Sequence, residues 1–271
     1  MLFRAKNGRL PLKGAHMDYV RFGTGCRNLV LLPGLGDGLQ TVKGTALPMA
    51  WMYRSLSRHF TVWMFSRPEP LAQSCTTRDM ARDVNTAMDA LGIGKADVVG
   101  VSMGGMIAQY LALDYPDRVN RLVLTVTCGQ SNPILESSVR EWISQAEGGD
   151  HTALMASNLR LIYSHDYCRK NMWIVPLLGL LTKPKSYSRF LTQANACLTH
   201  NAQPRLPSLT CPTLVVGGEK DLALGAEASR ELAAAIPGAK LHMYENWGHG
   251  LYEEAPDFWK IVSDFLLTES D

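Results

Sequence analysis

The runs NLVLL (28–32), TVWMFS (61–66), DVVGV (97–101), LVLTV (122–126) and TLVV (213–216) are apolar on successive positions rather than on alternate ones. A strand with one wetted face alternates apolar and polar side chains; a strand apolar on both sides must be covered on both sides. The segments between these runs carry helical periodicity. Thr77 to Leu91 places Met80, Val84, Ala87, Met88 and Leu91 on one face, and Gly92 then supplies a C-cap. Helices are also expected over Leu47–Arg58, Met103–Asp114, Gly225–Ile236 and Ala255–Leu267, and further strands over His16–Phe22 and Leu241–Tyr244. Alternating buried strands and helices predict an α/β protein with a mostly parallel, doubly wound sheet.

The alternation lapses between Gly129 and Pro207. Leu135, Val139, Trp142, Ile143 and Ala146 outline an amphipathic helix there, and more helical stretches follow without a convincing strand. The expected organisation is a core of residues 1–128 and 208–271, with 129–207 either a plain helical excursion or, the reading preferred, a helical cap inserted over the active end of the core. The run MWIVPLLGLL (Met172–Leu181) contains Pro176 and Gly179 and is too short to span a bilayer. With Trp142 it is expected either to wall an apolar substrate pocket or to form the cap's own core.

Of the 271 residues 46% are hydrophobic and 19% charged, which suits one sizeable globular core. A net charge of +2 without like-charge blocks argues against nucleic acid or an anionic membrane as partner. Arg4, Lys6 and Arg9 break up the N-terminal segment, which therefore lacks the apolar centre of a signal peptide, and a cytoplasmic location is expected. The cysteines at 26, 75, 128, 168, 197 and 211 show neither CxxC nor metal-ligand spacing and read as small buried hydrophobes.

After NLVLL comes PGLGDGL, a glycine-rich turn that invites a dinucleotide reading. Gly34 and Gly36 would require glycine at 39, where Leu39 stands, and no carboxylate lies between Asp37 and Glu69 to meet a ribose. The turn retains another use. At the end of a parallel strand its backbone N–H groups can meet a developing oxyanion.

Gly100-Val101-Ser102-Met103-Gly104 matches G-x-S-x-G between an expected strand and an expected helix. Chance alone would supply the pattern in roughly one such chain in eight, so its position carries the weight. The helix beginning at Met103 turns its positive end and the Met103 N–H toward the serine. A serine hydroxyl needs a base, and the base an orienting acid. Asp221 follows a strand in LVVGGEKDLAL and His249 follows the next in YENWGHGLYEE, so both lie in loops leaving the sheet edge that carries Ser102. Glu219 is the alternative acid. His16 and His242 fall within strands, His59 precedes one, and His151, His165 and His200 belong to the insertion, where structural roles are expected. Asp79 and Asp83 read as a solvated helix face.

LLPGLGD, VVGVSMGG, CPTLVVGGEKD and NWGHGLYEEAPDFW, in that order, resemble the α/β-hydrolase superfamily over nearly the whole chain. The resemblance implies a helical cap between core strands and a triad of Ser102 (nucleophile), His249 (base) and Asp221 (acid). It implies an oxyanion hole from the Leu35 and Met103 backbone N–H groups. Two departures stand out: Pro33-Gly34 replaces a common His-Gly, and Ser66–Cys75 (SRPEPLAQSC) replaces a Gly-rich turn after the fourth strand. The implied activity is hydrolysis of a small, apolar carboxylic ester or lactone through an acyl-enzyme, with no cofactor or metal. The same triad also suits C–C bond hydrolysis, acyl transfer, perhydrolysis or a ligand receptor with slow hydrolase activity.

Overall fold

The computed structural model describes residues 2–268. An N-terminal hairpin, β1 (Lys6–Leu12) and β2 (Ala15–Phe22), leads to β3 (Arg27–Leu32), α1 (Ala46–Met52), β4 (Phe60–Phe65), α2 (Thr77–Ala90), β5 (Ala96–Val101), α3 (Met103–Asp114) and β6 (Val119–Thr125). A helical excursion follows: α4 (Pro133–Glu147), α5 (His151–Ile162), α6 (His165–Asn171), α7 (Val175–Leu181) and α8 (Ser188–Leu198). The chain then returns through β7 (Thr213–Gly218), α9 (Ala226–Ala235), β8 (Lys240–Tyr244), α10 (Leu251–Glu254) and α11 (Phe258–Leu267).

The eight strands form one sheet in the order β1-β2-β4-β3-β5-β6-β7-β8, parallel from β4 onward. The doubly apolar strands explain themselves in the packing. Val30, Leu32, Val98, Leu122 and Leu124 face the core under α2 and α3, while Leu29, Leu31, Val99, Val123 and Val216 face the one under α1 and α11. From β3 the chain crosses first to β4 and then back past β3 to β5. The strand order therefore reverses at the β3–β5 pair, which opens a crevice beyond their C-terminal ends. Leu32 pairs with Gly100 there, so the Pro33–Gly38 turn and Ser102 emerge side by side.

Several expected elements differ in extent. β1 has no counterpart among the expected strands, because Lys6, Arg9 and Pro11 mask its pattern; as an edge strand it tolerates all three. The helix expected over Leu47–Arg58 stops at Met52, and the chain turns so that Leu56 is buried. The last helix begins at Phe258 rather than Ala255, since Pro256 separates it from α10. Asp79 is more than a solvated side chain: it completes a capping box with Thr76. Asp83 is half-buried, and burial pushes its carboxyl up to about 6. Cys128 and Cys197 are buried, but Cys26 is exposed and the other three are intermediate.

The excursion leaves and rejoins the core through one neck. Gln130 bridges Asn201, Ser131 N–H donates to His200 O at 3.0 Å, and Ala202 N–H donates to Gly129 O at 2.8 Å. Trp142 packs into the core, whereas Trp173, Leu180 and Leu181 are 76%, 76% and 70% exposed. Trp142 and the Met172–Leu181 run thus do not share one core. Within the run only Val175 and Gly179 turn fully inward, because α7 is a surface helix. No described helix is long and apolar enough to cross a membrane.

Candidate active site

Ser102 joins β5 to α3 with φ 53° and ψ −122°. A left-handed backbone at a non-glycine residue is costly and persists only where its surroundings enforce it. Here Ser102 N–H donates to Thr125 O at 2.9 Å, and Ser102 O accepts from Gly105 N–H and from Thr127 Oγ1, both at 2.8 Å. The strand before and the helix after are thereby locked around a turn that projects the serine from the sheet edge.

The elbow requires glycine at 104, because a Cβ there would lie 1.9 Å from Leu32 O and 2.8 Å from Pro33 O. In an ordinary helix Gly→Ala is stabilising; here the sign reverses. Gly104→Ala is expected to lower unfolding free energy by about 1–3 kcal/mol as β3 and α3 are pushed apart. Urea denaturation measures this, and a variant as stable as the parent would contradict the contact.

The β3 turn reaches the same place. A Cβ on Gly34 would stand 3.4 Å from Ser102 Cβ and 3.9 Å from its Oγ. Leu35 begins a 3₁₀ turn, Leu35–Gly38, and Met103 begins α3. First-turn N–H groups have no acceptor within their own helix, so both donors are available for a ligand.

From the opposite side come the loops after β7 and β8. Lys220 N–H donates to Trp247 O at 3.1 Å, tying the two loops together. Asp221 Oδ1 accepts from the Ala223 and Leu224 N–H groups at 2.9 and 3.0 Å, and Oδ2 lies 2.9 Å from His249 Nδ1. Both residues are buried, at 7% and 3% residual exposure. In the tautomer whose Nδ1–H donates to Asp221, the ring lone pair is on Nε2. Among the described hydrogen bonds none joins Ser102 Oγ to His249, a contact that tightens in many sites only with substrate bound. Glu219, the rival acid, instead pairs with Arg230, and among the described hydrogen bonds and ion pairs none joins it to His249.

The helical excursion touches both halves of the site. Ile162 O, at the end of α5, accepts from Gly250 N–H beside His249, and Ser164 N–H donates to Glu254 Oε2 at 2.9 Å. Tyr163 OH donates to Glu253 at 2.7 Å; burial raises the Glu253 pKa and this bond opposes the rise. A groove of about 850 Å³ opens here between Tyr163, Tyr167, Trp247 and Leu222, flanked by Lys170 and Lys220. On the other side α8 lies on the Leu35–Gly38 turn, with Arg189 reaching Asp37. Sequence reading assigned nothing to Asp37, Arg67 and Arg189, which form a buried cluster behind that turn.

The α/β hydrolase fold family matches residues 27–148, and a family described as TAP-like protein matches residues 188–270. The 2-hydroxy-6-oxononadienedioate/2-hydroxy-6-oxononatrienedioate hydrolase of Comamonas testosteroni is 31% identical over 197 residues, 69% of this chain and 68% of that one. The mouse serine hydrolase BPHL is 27% identical over 96% of this chain and 86% of its own. The enol-lactonase of Burkholderia xenovorans superposes with a TM-score of 0.82 at 26% identity, covering 96% of this chain and 100% of that one. With an eight-stranded sheet, a strained serine at its switch point and these relatives, the chain belongs to the α/β hydrolase superfamily.

Proposed function

We propose that the protein is a serine hydrolase that cleaves a small carboxylic ester or lactone, with residues 129–207 as a cap over the site. The observation that carries this reading is the enforced backbone of Ser102, φ 53°, at the head of α3 and against the Gly34–Leu35 turn. In this reading Ser102 Oγ attacks the acyl carbon while His249 Nε2 takes its proton, and Asp221 stabilises the imidazolium. The Leu35 and Met103 N–H groups hold the tetrahedral oxyanion, each worth about 3 kcal/mol of barrier. As the C–O bond breaks, His249 protonates the departing alkoxide. It then deprotonates the water that releases the acid and restores Ser102. No step calls for a cofactor or metal.

C–C bond hydrolysis is the second reading, favoured by the likeness to the Comamonas hydrolase. An active-site fluorophosphonate combined with a panel of p-nitrophenyl esters, small lactones and a vinylogous diketone acid separates the two. The expected result is labelling at Ser102 and turnover of an ester or lactone at least about 100-fold above the diketone. Preferential turnover of the diketone would move the assignment to C–C cleavage. Failure to label Ser102 would overturn both.

A further inference from the structure

The two places where the chain departs from the common family pattern, Pro33-Gly34 and Ser66–Cys75, meet in space through Arg67. This side chain is 3% exposed and donates through Nη2 to Pro33 O, while its backbone N–H donates to Asp37 Oδ2 at 3.0 Å. Arg189, from the first turn of α8, donates to Asp37 O, to Asp37 Oδ2 and, at 3.0 Å, to Arg67 O. Gln193, one turn further along α8, approaches Asp37 Oδ2 at 3.5 Å. The helix sits directly on the turn: a Cβ on Gly38 would lie 2.8 Å from Phe190 Cα.

These contacts bear on one peptide plane. Gly34 O accepts from Asp37 N–H at 3.3 Å. Gly34 O and the Leu35 N–H belong to the same peptide unit, which is planar and trans, so anchoring the oxygen aims the N–H the opposite way. Asp37 supplies that anchor, and its own position is set by Arg67 and Arg189. A buried carboxylate hydrogen-bonded by the Arg189 guanidinium and the Arg67 backbone N–H, with the Arg67 guanidinium 3.9 Å away, is an expensive arrangement for mere attachment of a helix.

We propose that Arg67 and Arg189 are positioning residues for the Leu35 N–H, so that the aim of this oxyanion donor depends on the seating of α8. The inference rests on the reading that Ser102 is a nucleophile served by Leu35. Arg67 holds the Pro33 carbonyl at the start of the turn, and Arg189 extends the linkage to the cap.

The test uses the full chain with Arg189→Met and Arg189→Lys. It measures kcat and KM on the best ester, the rate of fluorophosphonate labelling, and thermal unfolding. The expected result for Arg189→Met is a kcat about 10–100-fold lower with KM within threefold, and labelling slowed in parallel, in folded protein. Arg189→Lys, which keeps the charge but not the fork, should recover part of that loss. Unchanged kcat and labelling in a folded variant, or a change in KM alone, would overturn the inference. If the Met variant does not fold, the Lys variant decides by the same split. If wild-type protein fails to label at Ser102, the nucleophile reading fails; if wild type labels and the variants label equally fast, only the positioning role fails.

Discussion

Ser102→Ala is expected to lower turnover by about 10⁶-fold while leaving the protein folded. In the proposed mechanism the size follows from what is removed, the atom that forms the acyl bond. His249 and Asp221 have nothing left to activate except water held at the wrong distance. The fold should survive because the hydrogen bonds that enforce the turn run through the Ser102 backbone N–H and C=O, not through Oγ. Alanine meets the same steric penalty at φ 53° as serine does, so that cost cancels between the two proteins. The residual rate should reflect the oxyanion donors and binding alone. Steady-state kinetics on the best substrate, alongside a circular dichroism melt, measures both halves of the expectation. A variant that keeps its turnover would remove Ser102 from the chemistry.

Asp221→Asn is expected to cost about 10⁴-fold in kcat with little change in stability. The Asn carbonyl can still accept the Ala223 and Leu224 N–H bonds that anchor Oδ1, so the loop should stay in place. Its NH₂ group would then face His249 Nδ1 where Oδ2 now accepts. The imidazole must answer with a lone pair on Nδ1, which moves the proton to Nε2 and deprives the site of its base. The matching control is Glu219→Gln, expected to change kcat by no more than about twofold because Glu219 is engaged by Arg230 near the surface. A loss under tenfold for Asp221→Asn, or a large loss for Glu219→Gln, would reassign the acid.

Much of this site was legible in the sequence because chain order and strand topology carry it. Ser102, Asp221 and His249 each follow a strand of a parallel sheet, and parallel strands deliver their following loops to one edge. The doubly apolar strands announced the sheet. Less legible were features whose signal is short or mixed. β1 is an edge strand whose apolar residues, Leu10 and Leu12, are interrupted by Lys6, Arg9 and Pro11, and the Met172–Leu181 run is apolar while mostly unburied. Hydrophobicity tells which residues could be inside, but packing selects among them.

The cluster behind the Leu35–Gly38 turn had no sequence signature. Asp37, Arg67 and Arg189 come from a turn, a strand exit and an inserted helix, separated by up to 152 residues, and each alone looks like a surface charge. By itself the sequence determined the sheet, the elbow and the order of the site's residues, since these follow from local periodicity and the rule that parallel strands end together. Only the tertiary structure decided which buried charges grip the Leu35 turn, because that depends on how α8 is laid across the core, a contact between segments with no shared local pattern.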